Sequence, residues 1–520
     1  MLDYNSIIPG SVEEGKLSSR VLSDLRESLD WVKSIDVPVL KWSCECSIEA
    51  GNKVSSCILL PYSSGLHGEF KHGDLVWIRD PREILFVDVK GKVIILRRSL
   101  DEKLLRLVAY LAVVRGASGL ILTSEQRGVL KASVVVGSPG YSYVRSLPVS
   151  IPVVVAPLDP LDLSESRGVV ISVKANVEES RGRIIIGGLN GKGDREIHII
   201  GHHDAILGGF ESTPTRLILE LARDKAVREL SRIANVVFIS YTARELGDPE
   251  FREYNYTWGE RYLLKIIAER GGIENILYSI ALGPLIYGGS LEAWGHPLLL
   301  KPLVETGVAR GENTALLESH PYIEHGVPSI TLTNRESLVY RNTNLQISGD
   351  LSRTLLRELV NTLTYLTMHL EPLDNWLNVL RRHAYERVDE AILEARIEVT
   401  RLLDTAQREG FRGIYKATRL SHNLLYAACI DPLEYYLDSS MWAGLSWESI
   451  KGLEKLLEGC RGLSFIGSEE GYVSYSSVVG FIEGVLSGVR GVALKKLKSR
   501  IDNELIKSTL IHLGKGGFIG

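Results

Sequence analysis

Residues 195–205 read REIHIIGHHDA, and residues 235–245 read NVVFISYTARE. Each contains an apolar run that is continuous rather than alternating, the pattern of a strand buried on both faces, as central parallel strands are. Each run stops abruptly on polar residues: Gly201-His202-His203-Asp204 in the first and Thr242-Ala243-Arg244-Glu245 in the second. Between them, residues 215–230 place Leu217, Leu219, Leu221 and Ala222 on a predicted helix. Downstream, the spacing predicts a helix over 259–270, a strand over 276–282, a helix over 297–310, a strand at PSITLT (328–333) and a long helix over 352–370. Alternation of this kind specifies an α/β fold, a mostly parallel mixed sheet flanked by helices on both faces. Ligands of open α/β sheets sit at the C-terminal ends of the strands, so the two polar strand ends are the candidate site.

Outside this core the pattern changes. An amphipathic helix is expected over 13–31, then strands near 39–48 and 53–60 and a turn-rich stretch, PYSSGLHGEFKHGD. Residues 72–175 read as a β-rich block with strands LVWIRD, GKVIILRR, GLILTS, IPVVVAP and GVVISVKANV around a helix over 100–115. The glycine-rich GGLNGKG at 187–193 has neither the Lys-Ser/Thr of a phosphate loop nor a following helix start, and predicts a hairpin turn. After 371 strand signals fade and helical spacing takes over. The expected organisation is an α/β domain from 1–71 and 176–370, an inserted β-rich domain at 72–175, and an α-helical C-terminal domain at 371–520.

Composition bounds the function. At about 150 residues per domain, 520 residues make three or four domains. With 45% hydrophobic and 24% charged residues the chain is neither disordered nor a coiled-coil rod. A net charge of −4 argues against a general nucleic-acid or anionic-membrane binder. The longest apolar stretch, 104–122, is interrupted by Arg106 and Arg115, so no membrane span is expected. No signal peptide is evident at the N-terminus, and the expected location is cytoplasmic. Five cysteines, an odd number, cannot all be paired internally. Cys44 and Cys46 alternate on one predicted strand and Cys57 lies on the next; one of them can pair with Cys57, or all can remain buried thiols. Three methionines beside abundant Ile, Arg and Glu suit a thermophile.

A His separated by one residue from an Asp at a strand end can be a metal ligand with an orienting carboxylate behind it. The order along the chain is more specific than that motif. A strand ending in His-x-Asp, a Gly-rich loop, a helix, then a strand ending in a charged pair before Gly resembles the dizinc peptidases of clan MH, which include aminopeptidases, glutamate carboxypeptidase and the transferrin receptor. IIGHHDAILGGFE resembles the first metal segment, FISYTARELGDPE the Glu-Glu segment, and GVPSITLTNRESLVYRNTN the last. The 72–175 block is similar to a protease-associated domain. The resemblance implies a pair of zinc ions, a general base, and a homodimer through the helical C-terminus.

The residues at those positions depart from the family. His202 stands at the first ligand position with Asp204 behind it; the bridging acid falls near Glu211 or Ser212; Arg244 occupies the place of the base; Glu245 occupies the next ligand position. No acid is found around 281–283, and Arg341 replaces the final His. A guanidinium stays protonated and cannot be a base. At about 5 Å from Zn²⁺ it would cost roughly 6–7 kcal/mol at an effective dielectric of about 20. His203, His320 and His325 are further candidate pocket residues, read more readily as loop or surface histidines. The aromatics Tyr254, Tyr256, Trp258 and Tyr262 suit a pocket wall, a partner surface or ordinary packing. Two functional readings follow. In the first the chain is a pseudoenzyme: a non-catalytic, metal-free relative that binds a peptide or protein, with Arg244 and Arg341 as counter-charges where zinc would sit. In the second it is an aminopeptidase with a rearranged, mononuclear zinc site built from His202, Glu211 and Glu245, with Glu211 or Glu245 as base.

Overall fold

The computed structural model describes residues 6–369, less 64–68, 98–104, 106, 107, 110, 114, 124–128, 135–148, 158–167, 210–212, 250–256, 286–289, 305, 313–316, 335, 336, 338, 339 and 346–352. The expected helical domain at 371–520 therefore lies outside the described residues, as do Glu211, Ser212, Tyr254 and Tyr256.

The chain opens with helix α1 (Val12–Arg26), whose N-cap Ser11 hydroxyl accepts from the Glu14 N–H at 3.1 Å. It continues through β1 (Trp31–Ala50), β2 (Lys53–Ser56), β3 (Ile58–Leu59), β4 (Glu69–Ile78), β5 (Val93–Arg97), β6 (Gly119–Thr123), β7 (Val153–Ala156) and β8 (Gly168–Leu189). Then follow β9 (Glu196–His202), helix α2 (Thr215–Arg223), β10 (Asn235–Tyr241), helix α3 (Trp258–Glu269), β11 (Ile276–Leu282), β12 (Glu292–Gly295), β13 (Ala309–Glu312), β14 (Ser329–Thr333) and helix α4 (Arg353–Met368).

These strands make one 14-stranded mixed sheet in two wings. One wing is β4-β5-β6-β7, all parallel, ending on β3. The other is built on parallel β10-β9-β11-β14, extended by antiparallel β12 and then β13. The long strand β8 joins them. Along one edge it pairs antiparallel with β1, from Trp31↔Gly188 to Glu49↔Val170. Its other edge meets β4 over residues 168–173 and β10 over 185–189. The expected boundaries at 71/72 and 175/176 fall inside β4 and β8.

Three expectations fail for identifiable reasons. The helix expected over 215–230 breaks at Asp224, which is extended (ψ 133°) and whose carboxylate caps a new short helix, Lys225–Glu229. The helix expected over 297–310 is a single turn, Pro297–Leu300, followed by a strand; Pro302 has no N–H to extend a helix, and Gly307 turns the chain at φ 74°. The glycines at 187–193 do not close a hairpin, because β10 lies between β8 and β9. Gly187 and Gly188 instead let Leu29 and Trp31 close onto β8, where a Cβ would collide with them.

The central strands are buried on both faces. Ile197, Ile199, Val236, Phe238 and Ile280 face α1, α2 and α4. Ile200, Val237, Ile239, Tyr241 and Ala281 face Leu263 and Leu264 of α3. Among the described residues no helix is long and apolar enough to cross a membrane.

Candidate functional site

Strand alternation sends His202 and His203 to opposite faces. His203 points toward α1 and is fully buried. Its Nδ1 lies 2.8 Å from Ser240 Oγ and its Nε2 3.0 Å from Glu14 Oε1. Ser240 Oγ meets Thr215 Oγ1 at 2.8 Å, and the Thr215 hydroxyl donates to the Gly201 carbonyl at 3.3 Å. The proton order is fixed by that carbonyl: Thr215 donates, so it accepts from Ser240, which accepts from His203 Nδ1. A proton shared between His203 Nε2 and Glu14 completes the chain.

His202 lies on the α3 face beside Tyr241, the two rings edge to face at 6.2 Å. Its Nδ1 is 2.9 Å from the Asp204 carbonyl, so Nδ1 carries the proton and Nε2 the lone pair. Burial, and then the Arg244 guanidinium, hold this imidazole well below its usual range, so the ring is neutral. His202 Nε2 is buried and without a hydrogen-bond partner among the described residues, as are Tyr241 Oη and Thr242 Oγ1. The Tyr241 hydroxyl stays protonated, because burial and then the nearby carboxylates of Glu260 and Glu318 push it well up.

Arg244 follows β10 directly. Its backbone N–H is bracketed by the Asp204 carboxyl oxygens at 3.1 and 3.3 Å. Its guanidinium, 1% exposed, donates from Nε to Glu318 Oε1 at 2.5 Å and from Nη1 to Glu245 Oε1. Arg341 Nε reaches the same Glu245 oxygen at 3.1 Å, and Asn342 Nδ2 donates to the other. Burial raises the Asp204 carboxyl to about 8, with the Glu245 charge pushing the same way against the Arg244 N–H, so Asp204 is largely protonated at neutral pH. Two guanidinium cations therefore contact two carboxylates, those of Glu245 and Glu318.

The 72–175 block takes part in this arrangement. Ala132 N–H donates to the Asn342 carbonyl at 2.9 Å, Asn344 N–H to the Leu130 carbonyl at 3.1 Å, and Leu130 N–H to Asn344 Oδ1 at 2.7 Å. From the other side, Tyr62 Oη accepts from the Gly247 N–H at 3.2 Å.

The backbone here is strained. The non-glycine residues with positive φ among those described are Tyr62 (65°), Ala243 (60°), Thr257 (62°) and Asn342 (54°). All four meet the Arg244–Gly247 segment: Ala243 precedes it, Thr257 N–H donates to the Arg244 carbonyl, and Tyr62 and Asn342 bind as above. Each such residue costs about 1–3 kcal/mol and persists only where its surroundings over-determine it. Gly259, in the first turn of α3, presses on Thr242 so closely that a Cβ would fall on its carbonyl oxygen.

The structure thus brings together His202, Asp204, Arg244, Glu245 and Arg341 and separates His203 from them. His325 turns its Nδ1 back to the Pro321 carbonyl at 2.9 Å. His320, buried, opens the short helix His320–Glu324, two residues beyond Glu318. Glu318 and Asn342 were not among the expected site residues. The described donors do not suit a pair of zinc ions: Glu245 has both oxygens engaged, and the Arg244 guanidinium lies against Glu245 and Glu318. Among the described residues no three His, Cys, Asp or Glu side chains are grouped to hold a metal ion.

No family model matches the sequence. No curated protein matches it either. Solved structures do resemble it. The zinc aminopeptidase BSAP from Bacillus subtilis aligns with a TM-score of 0.51 at 16% identity, covering 69% of this chain and 90% of that one. A second, medium-resolution structure of that protein aligns with a TM-score of 0.50 at 17% identity, covering 70% and 90%. A peptidase M28 precursor from Shewanella amazonensis gives 0.49 at 17% identity, covering 70% and 90%. At these identities the likeness to BSAP shows the fold alone: a zinc-exopeptidase-like α/β sheet.

Proposed function

We propose that this chain is a non-catalytic protein on a zinc-exopeptidase scaffold, which binds a peptide or protein without cleaving it. The observation that carries this reading is the buried Arg244 guanidinium, paired with Glu245 and Glu318 at the strand end where the resemblance puts a general base. A guanidinium stays protonated at working pH and cannot take the proton that a general base must accept. Glu245 and His202, 3% and 5% exposed, present almost no surface to a substrate carbonyl. The ligand class is carried over from the scaffold alone.

One observation favours the second reading. His202 Nε2 is a buried lone pair with no partner among the described residues, the form in which histidine ligates zinc. The purified full chain separates the two. Metal analysis and hydrolysis of aminoacyl anilides, with and without added zinc and chelator, should show neither bound zinc nor turnover. Zinc near one ion per chain, with hydrolysis that a chelator abolishes, would establish the mononuclear aminopeptidase instead.

A further inference from the structure

Alternation places Trp42, Cys44 and Cys46 on one face of β1. Cys46 is disulfide-bonded to Cys57, which lies between β2 and β3, with 5.0 Å between their Cα atoms. The Cys57 N–H donates to the Cys46 carbonyl at 3.2 Å. Cys44 keeps a free thiol on an exposed residue, and its sulfur lies 3.8 Å from the Leu59 carbonyl. A nucleophile thus stands one step along the ribbon from a disulfide.

We propose that Cys44, Cys46 and Cys57 form an internal thiol–disulfide exchange site, in which the cross-link passes between Cys46–Cys57 and Cys44–Cys57 and sets the grip of Tyr62 on Gly247. The Cys44 thiol loses its proton, and the thiolate attacks Cys57 Sγ. The Cys46–Cys57 bond breaks, its electron pair leaves on the Cys46 sulfur, and that sulfur takes up a proton. Nothing is oxidised or reduced overall.

Diagonal neighbours on an antiparallel pair lie about 7–8 Å apart, whereas disulfides span about 4.4–6.8 Å between Cα atoms. The new cross-link therefore requires the Cys57–Leu59 segment to move along β1. That segment runs on to Tyr62, which packs edge to face on Trp42 at 6.3 Å and binds the Gly247 N–H. Although the residue is exposed, its sulfur is crowded by the ribbon. This burial raises the thiol, against the lowering contacts with Leu59 and Trp42. Exchange should accelerate about tenfold per pH unit below the thiol's pKa, because the thiolate is the nucleophile.

The full chain, incubated without oxidant at several pH values, acid-quenched, alkylated and peptide-mapped, tests the exchange. The expected product is a Cys44–Cys57 cross-linked peptide with alkylated Cys46, growing with pH and absent from Cys44→Ser, which keeps Cys46–Cys57. In Cys46→Ser, oxidised to the Cys44–Cys57 link, the Gly247 amide should exchange hydrogen several-fold faster than in Cys44→Ser. Among these three cysteines, label on Cys44 and none on Cys46 at every pH, or equal exchange at Gly247 in the two variants, would overturn the proposal.

Discussion

The two faces of the central strands carry buried polar clusters of opposite character. Behind β9 and β10, Glu14, His203, Ser240 and Thr215 form a linear chain that ends on the Gly201 carbonyl and ties α1 and α2 to the sheet. On the other face, His202 and Tyr241 at the strand ends border a cluster where guanidinium groups converge on Glu245 and Glu318, and His202 Nε2, Tyr241 Oη and Thr242 Oγ1 have no partner among the described residues. The strained residues meet only the second cluster. A buried network whose purpose is stability can satisfy its atoms with relaxed backbone; one that departs from this in several ways at once is shaped by something else.

Substitution should sharpen the contrast. Arg244→Ala leaves Glu245 and Glu318 buried without their shared cation, and should cost about 3–5 kcal/mol in denaturant unfolding without creating peptidase activity. A gain of zinc binding with no loss of stability would break the ion-pair reading. His203→Ala, on the other face, should cost less, about 1.5–3 kcal/mol for hydrogen bonds to a charged group, with no change in metal affinity.

Acidity distinguishes the faces next. Asp204 has a folded pKa of about 8 against an ordinary carboxyl near 3.8, so the folded state binds its proton more tightly than the unfolded state. Its contribution to stability is complete below the unfolded pKa and is lost as pH rises toward 8. Between pH 5 and 7 the loss should be about 2–3 kcal/mol, and Asp204→Asn, which retains an acceptor for the Arg244 N–H, should flatten it. An unchanged pH slope in that variant would place the titration elsewhere.

The smallest expected effect has the opposite sign. Ala243→Gly relieves a left-handed alanine and should stabilise by about 0.5–1 kcal/mol after the entropy cost of glycine. Destabilisation would mean that the Ala243 methyl group contributes more to packing than its backbone loses to strain.

Much of this was legible in the sequence. The strand at 276–282 is found at those residues, and the continuous apolar runs at 196–202 and 235–241 are central parallel strands. The length of β1 was not, because Lys33, Asp36 and Pro38 interrupt the apolar alternation. Pro38 is tolerated because its position points away from β8: its carbonyl accepts from Trp258 Nε1 at 2.8 Å, and the missing N–H on that same side leaves no ladder bond unmade. At the site, His202, Asp204, Arg244, Glu245 and Arg341 were marked by their place at strand ends or in a motif. Glu318 carried no local signal; it matters only because the chain before β14 brings it to the Arg244 guanidinium. Asn342 offered a faint one, an asparagine able to adopt positive φ beside a charged residue. The neutral state of Asp204 depends on burial, which no spacing encodes.

The ribbon of β1 and β8 has a consequence for how errors propagate. Its rungs run unbroken from Trp31↔Gly188 to Glu49↔Val170, so a slip of β1 by one residue would turn every β1 side chain to the opposite face relative to β8. Trp42 would swing outward, while β8, held on its other edge by β4 and β10, would keep its own faces. Such a slip would be detected along the whole girder at once, which makes this pairing a natural proofreading step in assembly of the chain.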